Sequence, residues 1–439
     1  MTCKRLMVSV FLIMLFIAFA PSAQAEKIYI DIDSPAFRQF PLAVADFAMP
    51  DGAAGRTPKM SSLVPDLVRS YLALTGLFNI LDKTSYLDAG PSQNPEKISF
   101  PDWVAVGADY LLAGAMQFEG TEMLLEVRLY DVVTGRTILH KTYRTAAADT
   151  RAASRLIAGD IVVALIGEEG DFDTRIAFVA KRADKSDIYS TGYDGEDLKR
   201  LTRHETLVAT PRWSPDGRYL AFTSYKNGRP AVFIKDLKTN VERQVAFHEG
   251  LNLCGGFSPD SRKLLLTLSR DTNEEIYALD IDSLKLARLT YNYAIDVSPT
   301  WSPCGRKIAF VSNRSGTPQI FVMDADGNNV RRLTYEGNYN TSPAWSPRGG
   351  KLAFEGLIDR RFQIFTVNED GEELTQLTAD DANSESPAWS PSGRQIAFSS
   401  RKGSKYRLCV VNANGANLRV LREEHYPLTM PAWSPRKLQ

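Results

Sequence analysis

The chain has 439 residues, 44% of them hydrophobic and 24% charged, the balance of an ordinary globular protein. That length suggests two domains. Lys+Arg and Asp+Glu both number 52, for a formal net charge of zero. No basic excess points to nucleic acid, and no charge run marks an acidic or basic tail.

Lys4 and Arg5 precede a nearly unbroken apolar run from Leu6 to Ala20, followed by Ala23-Gln24-Ala25. A positive start, an apolar stretch and a small-x-small site predict a cleaved secretory signal peptide over residues 1–25, with cleavage after Ala25. The run is short for a hydrocarbon layer of ~30 Å. No later stretch is apolar enough to predict a transmembrane span. Cys3 lies before the apolar run, so it is not a lipidated cysteine at the cleavage site. Cys254, Cys304 and Cys409 sit in different repeats and suggest no disulfide framework; all three are expected to be small buried hydrophobes. His140, His204, His248 and His425 are too scattered for a metal site. No metal or cofactor is expected.

Residues 26–167 carry mixed patterns and predict a small α/β domain. Ile28, Ile30 and Ile32 alternate with Tyr29 and Asp31 in a β pattern. Ser62–Thr75 reads as a helix stopped by Gly76. Leu77–Leu81 reads as a strand, and a short helix surrounds Trp103. Tyr110–Phe118, Met123–Tyr130 and Thr137–Arg144 read as strands and Arg151–Ile166 as a closing helix. Gly167-Glu168-Glu169-Gly170 is the expected linker.

From about residue 172 a repeat takes over. Trp213, Phe257, Trp301, Trp345, Trp389 and Trp433 are spaced by 44 residues, and each is followed by Ser-Pro. Three further apolar series keep the same period, beginning at Phe178, Tyr189 and Leu201. Four apolar anchors per repeat predict four short strands. Turn signals such as Asp216-Gly217, Asn227-Gly228 and Asp326-Gly327 separate them, glycine supplying the positive φ that such hairpins need. Four-stranded units of this length, repeated radially, are propeller blades. Residues 172–439 hold about six repeats. The predicted fold class is therefore an all-β six-bladed β-propeller preceded by a small α/β domain. The repeat opens at a second strand, Arg175-Ile176-Ala177-Phe178, and ends at a first strand, 431–435. The C-terminal segment is thus expected to complete the first blade and close the ring.

Catalytic constellations are not evident. A peptidase of the prolyl-oligopeptidase type carries a Gly-x-Ser-x-Gly elbow, which does not occur. Asp324-Ala325-Asp326-Gly327-Asn328 lacks the distal glutamate of a calcium loop and sits in register with hairpin turns. Trp213 and its equivalents suit inter-blade packing better than ligand stacking.

The signal peptide, the α/β domain, the repeat and the terminal Pro431-Ala432-Trp433-Ser434-Pro435 together resemble the TolB family, periplasmic components of the Tol–Pal system. Glu26-Lys27-Ile28-Tyr29-Ile30-Asp31-Ile32-Asp33 is similar to the start of mature members. The resemblance covers the whole mature chain. It implies a periplasmic binding protein, not an enzyme, in the maintenance of outer-membrane integrity and in outer-membrane invagination during cell division. It implies two partners, the lipoprotein Pal on the propeller and TolA on the N-terminal segment, with other outer-membrane or Tol proteins and colicins as further candidates.

Strand order places two sets of connections on opposite propeller faces. The Trp-Ser-Pro-Asp-Gly turns and the turns between strands three and four share one. The loops into strand one, and those between strands two and three, share the other. The second set varies and rings the channel mouth, and varied loops on a rigid scaffold carry binding. The expected Pal surface is Leu251, Asn252, Asp296, Val297, Asn340, Thr341, Ser384, Glu385 and Thr429. Solvated loop residues, or caps for the channel's own backbone, are the plainer alternative for them. The expected TolA segment is Glu26, Ile28, Ile30 and Ile32, which can add a strand to a partner's sheet edge or form the first strand of its own domain. Two other readings stay open: an enzyme acting from the channel, and a glycan-binding propeller using Tyr291, Tyr293 and Tyr339. A monomer is expected.

Overall fold

The computed structural model describes residues 38–49, 59–86, 98–436 and 438. The predicted signal peptide and the alternating segment from Glu26 to Ile32 lie outside the described residues.

The first strand, β1 (Phe40–Val44), has Pro41 through Val44 all buried. It therefore shows no alternation, and periodicity does not mark it. Helix α1 (Lys59–Thr75) starts three residues before the expected Ser62. Val64, Val68, Tyr71 and Leu72 form its buried stripe. Pro65 lies inside this helix and has no N–H for the Ser61 carbonyl. The Phe47 N–H takes that carbonyl instead, at 3.0 Å. Strand β2 (Phe78–Ile80), helix α2 (Phe100–Ala105), strands β3 (Tyr110–Glu119), β4 (Glu122–Asp131) and β5 (Arg136–Ala146), and helix α3 (Thr150–Ile166) follow. The sheet runs β2-β1-β3-β4-β5; β1 is parallel to both neighbours, and β3 to β5 form an antiparallel meander. Helices α1 and α3 pack together, with α3 against β5.

Six four-stranded sheets make the propeller. Their first strands are Val208–Trp213, Asn252–Phe257, Asp296–Trp301, Asn340–Trp345, Asn383–Trp389 and Leu428–Trp433. These strands touch one another all the way round the ring, so they line the central channel. The tryptophan that ends a first strand packs on the preceding blade: Trp345 joins Ala309, Val311, Ile320 and Val322. The Trp213 and Trp389 indoles donate to the carbonyls of Ala432 and Ala344 on neighbouring first strands, each at 3.0 Å. Leu428–Trp433 pairs antiparallel with Arg175–Arg182, so one blade is built from both ends of the repeat region.

The cysteines divide. Cys254 and Cys409 are buried, and burial pushes both thiols up to about 12. Cys304 is exposed, contrary to the expectation for all three. It occupies the aspartate position of the Trp-Ser-Pro-Asp-Gly turn. In two other turns that aspartate, Asp216 or Asp260, accepts from the serine hydroxyl at 2.5 Å and from the backbone N–H two residues on. The turn therefore favours an anion. At Cys304 the Ser302 hydroxyl, then the Arg306 N–H and guanidinium, pull the thiol down to about 7. A thiolate is the reactive form. At pH 7, iodoacetamide is expected to label Cys304 in the folded protein while Cys254 and Cys409 stay unmodified, as mass spectrometry of the digest would show. Labelling of the two buried cysteines at a comparable rate would refute this.

His204 bridges the second and fourth strands of one blade, with Nδ1 2.7 Å from Ser224 Oγ and Nε2 2.7 Å from Glu242 Oε2. The His204 contact, helped by Lys235 and Lys226, holds the Glu242 carboxyl down from an ordinary 4.5 to about 2. A depressed acid stabilises the fold above its unfolded pKa and loses that contribution as pH falls toward its folded one. Discounted for partial solvation, the contribution is about 1–2 kcal/mol. Glu242→Gln is expected to lower the melting temperature at pH 7 and to melt much closer to the parent near pH 2.5. An equal gap at both pH values would contradict the assignment.

Candidate functional site

The α/β domain sits on the turn face of the propeller. Tyr71 on α1 and Arg151 on α3 both donate to Asp194 in the turn between third and fourth strands, at 2.8 and 2.6 Å. The Leu74 carbonyl at the end of α1 accepts from Gln395 and Asn417. Glu168 in the linker accepts from Arg348 and Arg394 in two Ser-Pro turns, at 2.7 and 2.8 Å. Phe172 stacks edge-on between Tyr71 and Tyr193. These contacts occupy part of the face of monotonous turns and leave the opposite one, where the loops enter the first strands, free of the α/β domain.

On that opposite face, the four polar residues that share one 44-residue register are buried. Asn252 accepts from the His248 N–H at 2.9 Å and donates to the His248 carbonyl at 2.8 Å, closing its own loop. The Asn340 amide donates to the Glu336 carbonyl of its own loop at 2.8 Å and to the Gln319 side chain at 2.9 Å. Asp296 pairs with Arg314 at 2.6 Å, yet burial still raises its carboxyl pKa. Ser384 is 1% exposed. The other predicted residues are half-buried. Leu251 bonds through its N–H to Ser269, and Val297 and Thr429 lie on first strands. The Thr341 hydroxyl donates to Glu355 at 2.6 Å. Glu385 has its pKa raised, first by burial and then by Glu355. Glu26, Ile28, Ile30 and Ile32 lie outside the described residues.

Several large aromatic side chains of this face are exposed. Tyr291, Tyr293 and Tyr335 are 74%, 89% and 70% exposed, and Phe247, Tyr339 and Ile295 are also exposed. Arg288, Arg332 and Arg229 lie over the rings of Tyr291, Tyr335 and Phe247, 4.5 to 4.9 Å from the ring centres. Such stacking restricts both partners before anything binds. Exposed tyrosine with arginine is the composition of interface anchors. Phe247, Tyr291 and Tyr335 are themselves 44 residues apart, as are Arg288 and Arg332. That register was available to the sequence as a fifth series, but it sits in loops, away from the apolar strand anchors that define the repeat.

Two family models match the chain: the TolB amino-terminal domain over residues 28–138 and the TolB beta propeller domain over residues 162–437. A Tol-Pal system protein TolB of Syntrophus aciditrophicus is 48% identical over 218 residues, 47% of this chain and 47% of the relative. A TolB homolog of Chlorobium chlorochromatii is 36% identical over 226 residues, 52% of this chain and 51% of that one. The chain thus spans about half the length of the curated relatives it matches. The crystal structure of TolB from Acinetobacter baumannii superposes with a TM-score of 0.79 at 26% identity, covering 91% of this chain and 97% of that one. With a propeller model matched over well more than half its length, the chain belongs to the TolB family.

Proposed function

We propose that this chain is a periplasmic protein-binding component of the Tol–Pal system, which binds Pal on the loop face of the propeller and TolA through the segment containing Glu26, Ile28, Ile30 and Ile32. In this role it maintains outer-membrane integrity and supports invagination during division, by binding and not by catalysis. The observation that carries the propeller half is the exposed tyrosine–arginine rim on the face that the α/β domain leaves open. Phe247, Tyr291, Tyr293 and Tyr335 supply the anchors. Leu251, Val297, Thr341, Glu385 and Thr429 border the mouth. Asn252, Asn340 and Asp296 hold the loops in shape through their side-chain bonds, and Ser384 is buried in the same register. The TolA half rests on family membership and on the alternating isoleucines, suited to strand addition.

Calorimetry with the soluble domain of Pal from the same organism tests the reading. Saturable 1:1 binding supports it. No binding by a cooperatively folded protein overturns the Pal assignment, and binding of purified muropeptides in its place would favour a glycan-binding propeller. Titration of a C-terminal fragment of TolA, with and without saturating Pal, tests the second site and any coupling between them; equal affinities would exclude coupling.

A further inference from the structure

At its Ser-Pro end the central channel holds a cavity of about 470 Å³. Its walls are the Trp-Ser-Pro segments of the first strands, and they contain one charged residue, Arg212. At the equivalent position the other five blades have Gly256, Thr300, Ala344, Ala388 and Ala432. Small neutral residues on five sides leave the arginine room that no other blade needs. Among the described residues no carboxylate lies within ion-pair distance of it. Among the described residues its guanidinium makes one hydrogen bond, from Nη1 to the Pro211 carbonyl at 2.9 Å, and its remaining donors have no protein acceptor. The titratable group that acts on it is Cys254, whose thiol burial holds up to about 12 and so protonated at neutral pH. Desolvation lowers the guanidinium pKa, and only the Cys254 thiol opposes it.

The same cavity is lined by hydroxyl groups held in an unusual backbone. Each first strand carries a register irregularity just before its Pro-x-Trp or equivalent. At that bulge Thr210, Ser298 and Ser342 adopt φ of 51° to 54°, a region that residues with a side chain seldom occupy. All three line the cavity. Hydroxyls can donate to an anion as readily as they accept from water.

A cation without a counter-ion in a neutral, partly dehydrated wall is costly. Arginine presents a planar fork that matches the two oxygens of a carboxylate or phosphate. We propose that the channel cavity is a binding site for a small oxyanion of the phosphate or carboxylate class, held by Arg212 with the surrounding threonine and serine hydroxyls. The volume suits a small molecule. The anionic group pairs with Arg212, and any organic body lies against the proline and tryptophan walls. This site is on the face opposite the tyrosine rim and does not depend on the partner assignment.

The test uses the purified chain in low-salt buffer and inorganic phosphate as probe, with acetate for the carboxylate arm and sodium chloride at matched ionic strength as control. Saturable 1:1 phosphate or acetate binding by calorimetry is expected in the parent. It should weaken roughly tenfold to a hundredfold in Arg212→Gln, the loss typical of a charge-assisted contact, and by a smaller factor in Arg212→Lys, which keeps the charge but loses the planar fork. Thermal melts give a second readout. Without oxyanion, Arg212→Gln should melt above the parent, because the uncompensated charge is gone; phosphate should raise the parent's midpoint and leave the variant's unchanged. Equal binding by parent and Arg212→Gln, no saturable binding at all, or a chloride response matching that of both oxyanions would each overturn the proposal.

Discussion

Deletion of residues 428–439 is expected to abolish the cooperative melting transition of the propeller. The segment supplies the innermost strand of the blade that begins at Arg175. Trp433 is buried, and its indole donates to Thr174 at 2.8 Å. The Ser434 N–H donates to the Arg175 carbonyl, and the Ser434 hydroxyl accepts from the Arg175 N–H. Arg436 reaches back to Asp171 and the Glu169 carbonyl, tying the closure to the linker. The next blade also depends on it, since Trp213 donates to Ala432. Losing a buried tryptophan alone costs about 3–5 kcal/mol, and a domain commonly has only about 5–15 kcal/mol in total. Deletion adds the lost ladder and exposes Arg175–Arg182 as an unpaired edge, a template for aggregation. Trp433→Ala should therefore lower stability by about 3–5 kcal/mol in urea titration, and the deletion should yield aggregated protein or a broad, non-cooperative transition. A truncated protein melting at the parent's midpoint would show that the ring does not need its closing strand.

The repeat made the propeller legible because one physical demand recurs six times. Every blade must bury four strands against its neighbours, so apolar anchors return every 44 residues. The out-of-phase ends then dictate the composite blade. Strand β1 gave no such signal, because a strand buried on both faces loses its alternation. The loop face was half legible. Strand order identifies it, but polar residues in one register suit a contact surface and loop caps alike, and Asn252 and Asn340 do spend their amides on their own loops. A conserved spacing of polar groups fits a repeated structural duty as well as it fits binding. Burial separates the two, and burial of loop residues is a tertiary property. Cys304 teaches the same lesson in reverse: its neighbours in the turn, not its residue type, set its exposure and charge.

Truncation of the tyrosine rim should separate binding from folding. Tyr293 is 89% exposed and Tyr335 70%, so removing either ring opens no cavity and leaves no buried donor unpaired. Melting of Tyr293→Ala and Tyr335→Ala should stay close to that of the parent. If the rim anchors Pal, each truncation should cost about 2 kcal/mol of binding, roughly a 30-fold rise in Kd. The double variant need not be additive, because neighbouring anchors share one partner surface. Asn340→Ala should behave in the opposite way. It leaves the Gln319 side chain and the Glu336 carbonyl without their amide, at a stability cost of about 1–3 kcal/mol. Any binding loss in that variant should track the loosened loop and not exceed the loss from Tyr335→Ala. Calorimetry against the soluble domain of Pal, paired with thermal melts of each variant, reads both quantities. Wild-type affinity in the tyrosine variants, with Asn340→Ala crippled at unchanged stability, would return the contact surface to the inner register and reduce the aromatic rim to exposed decoration.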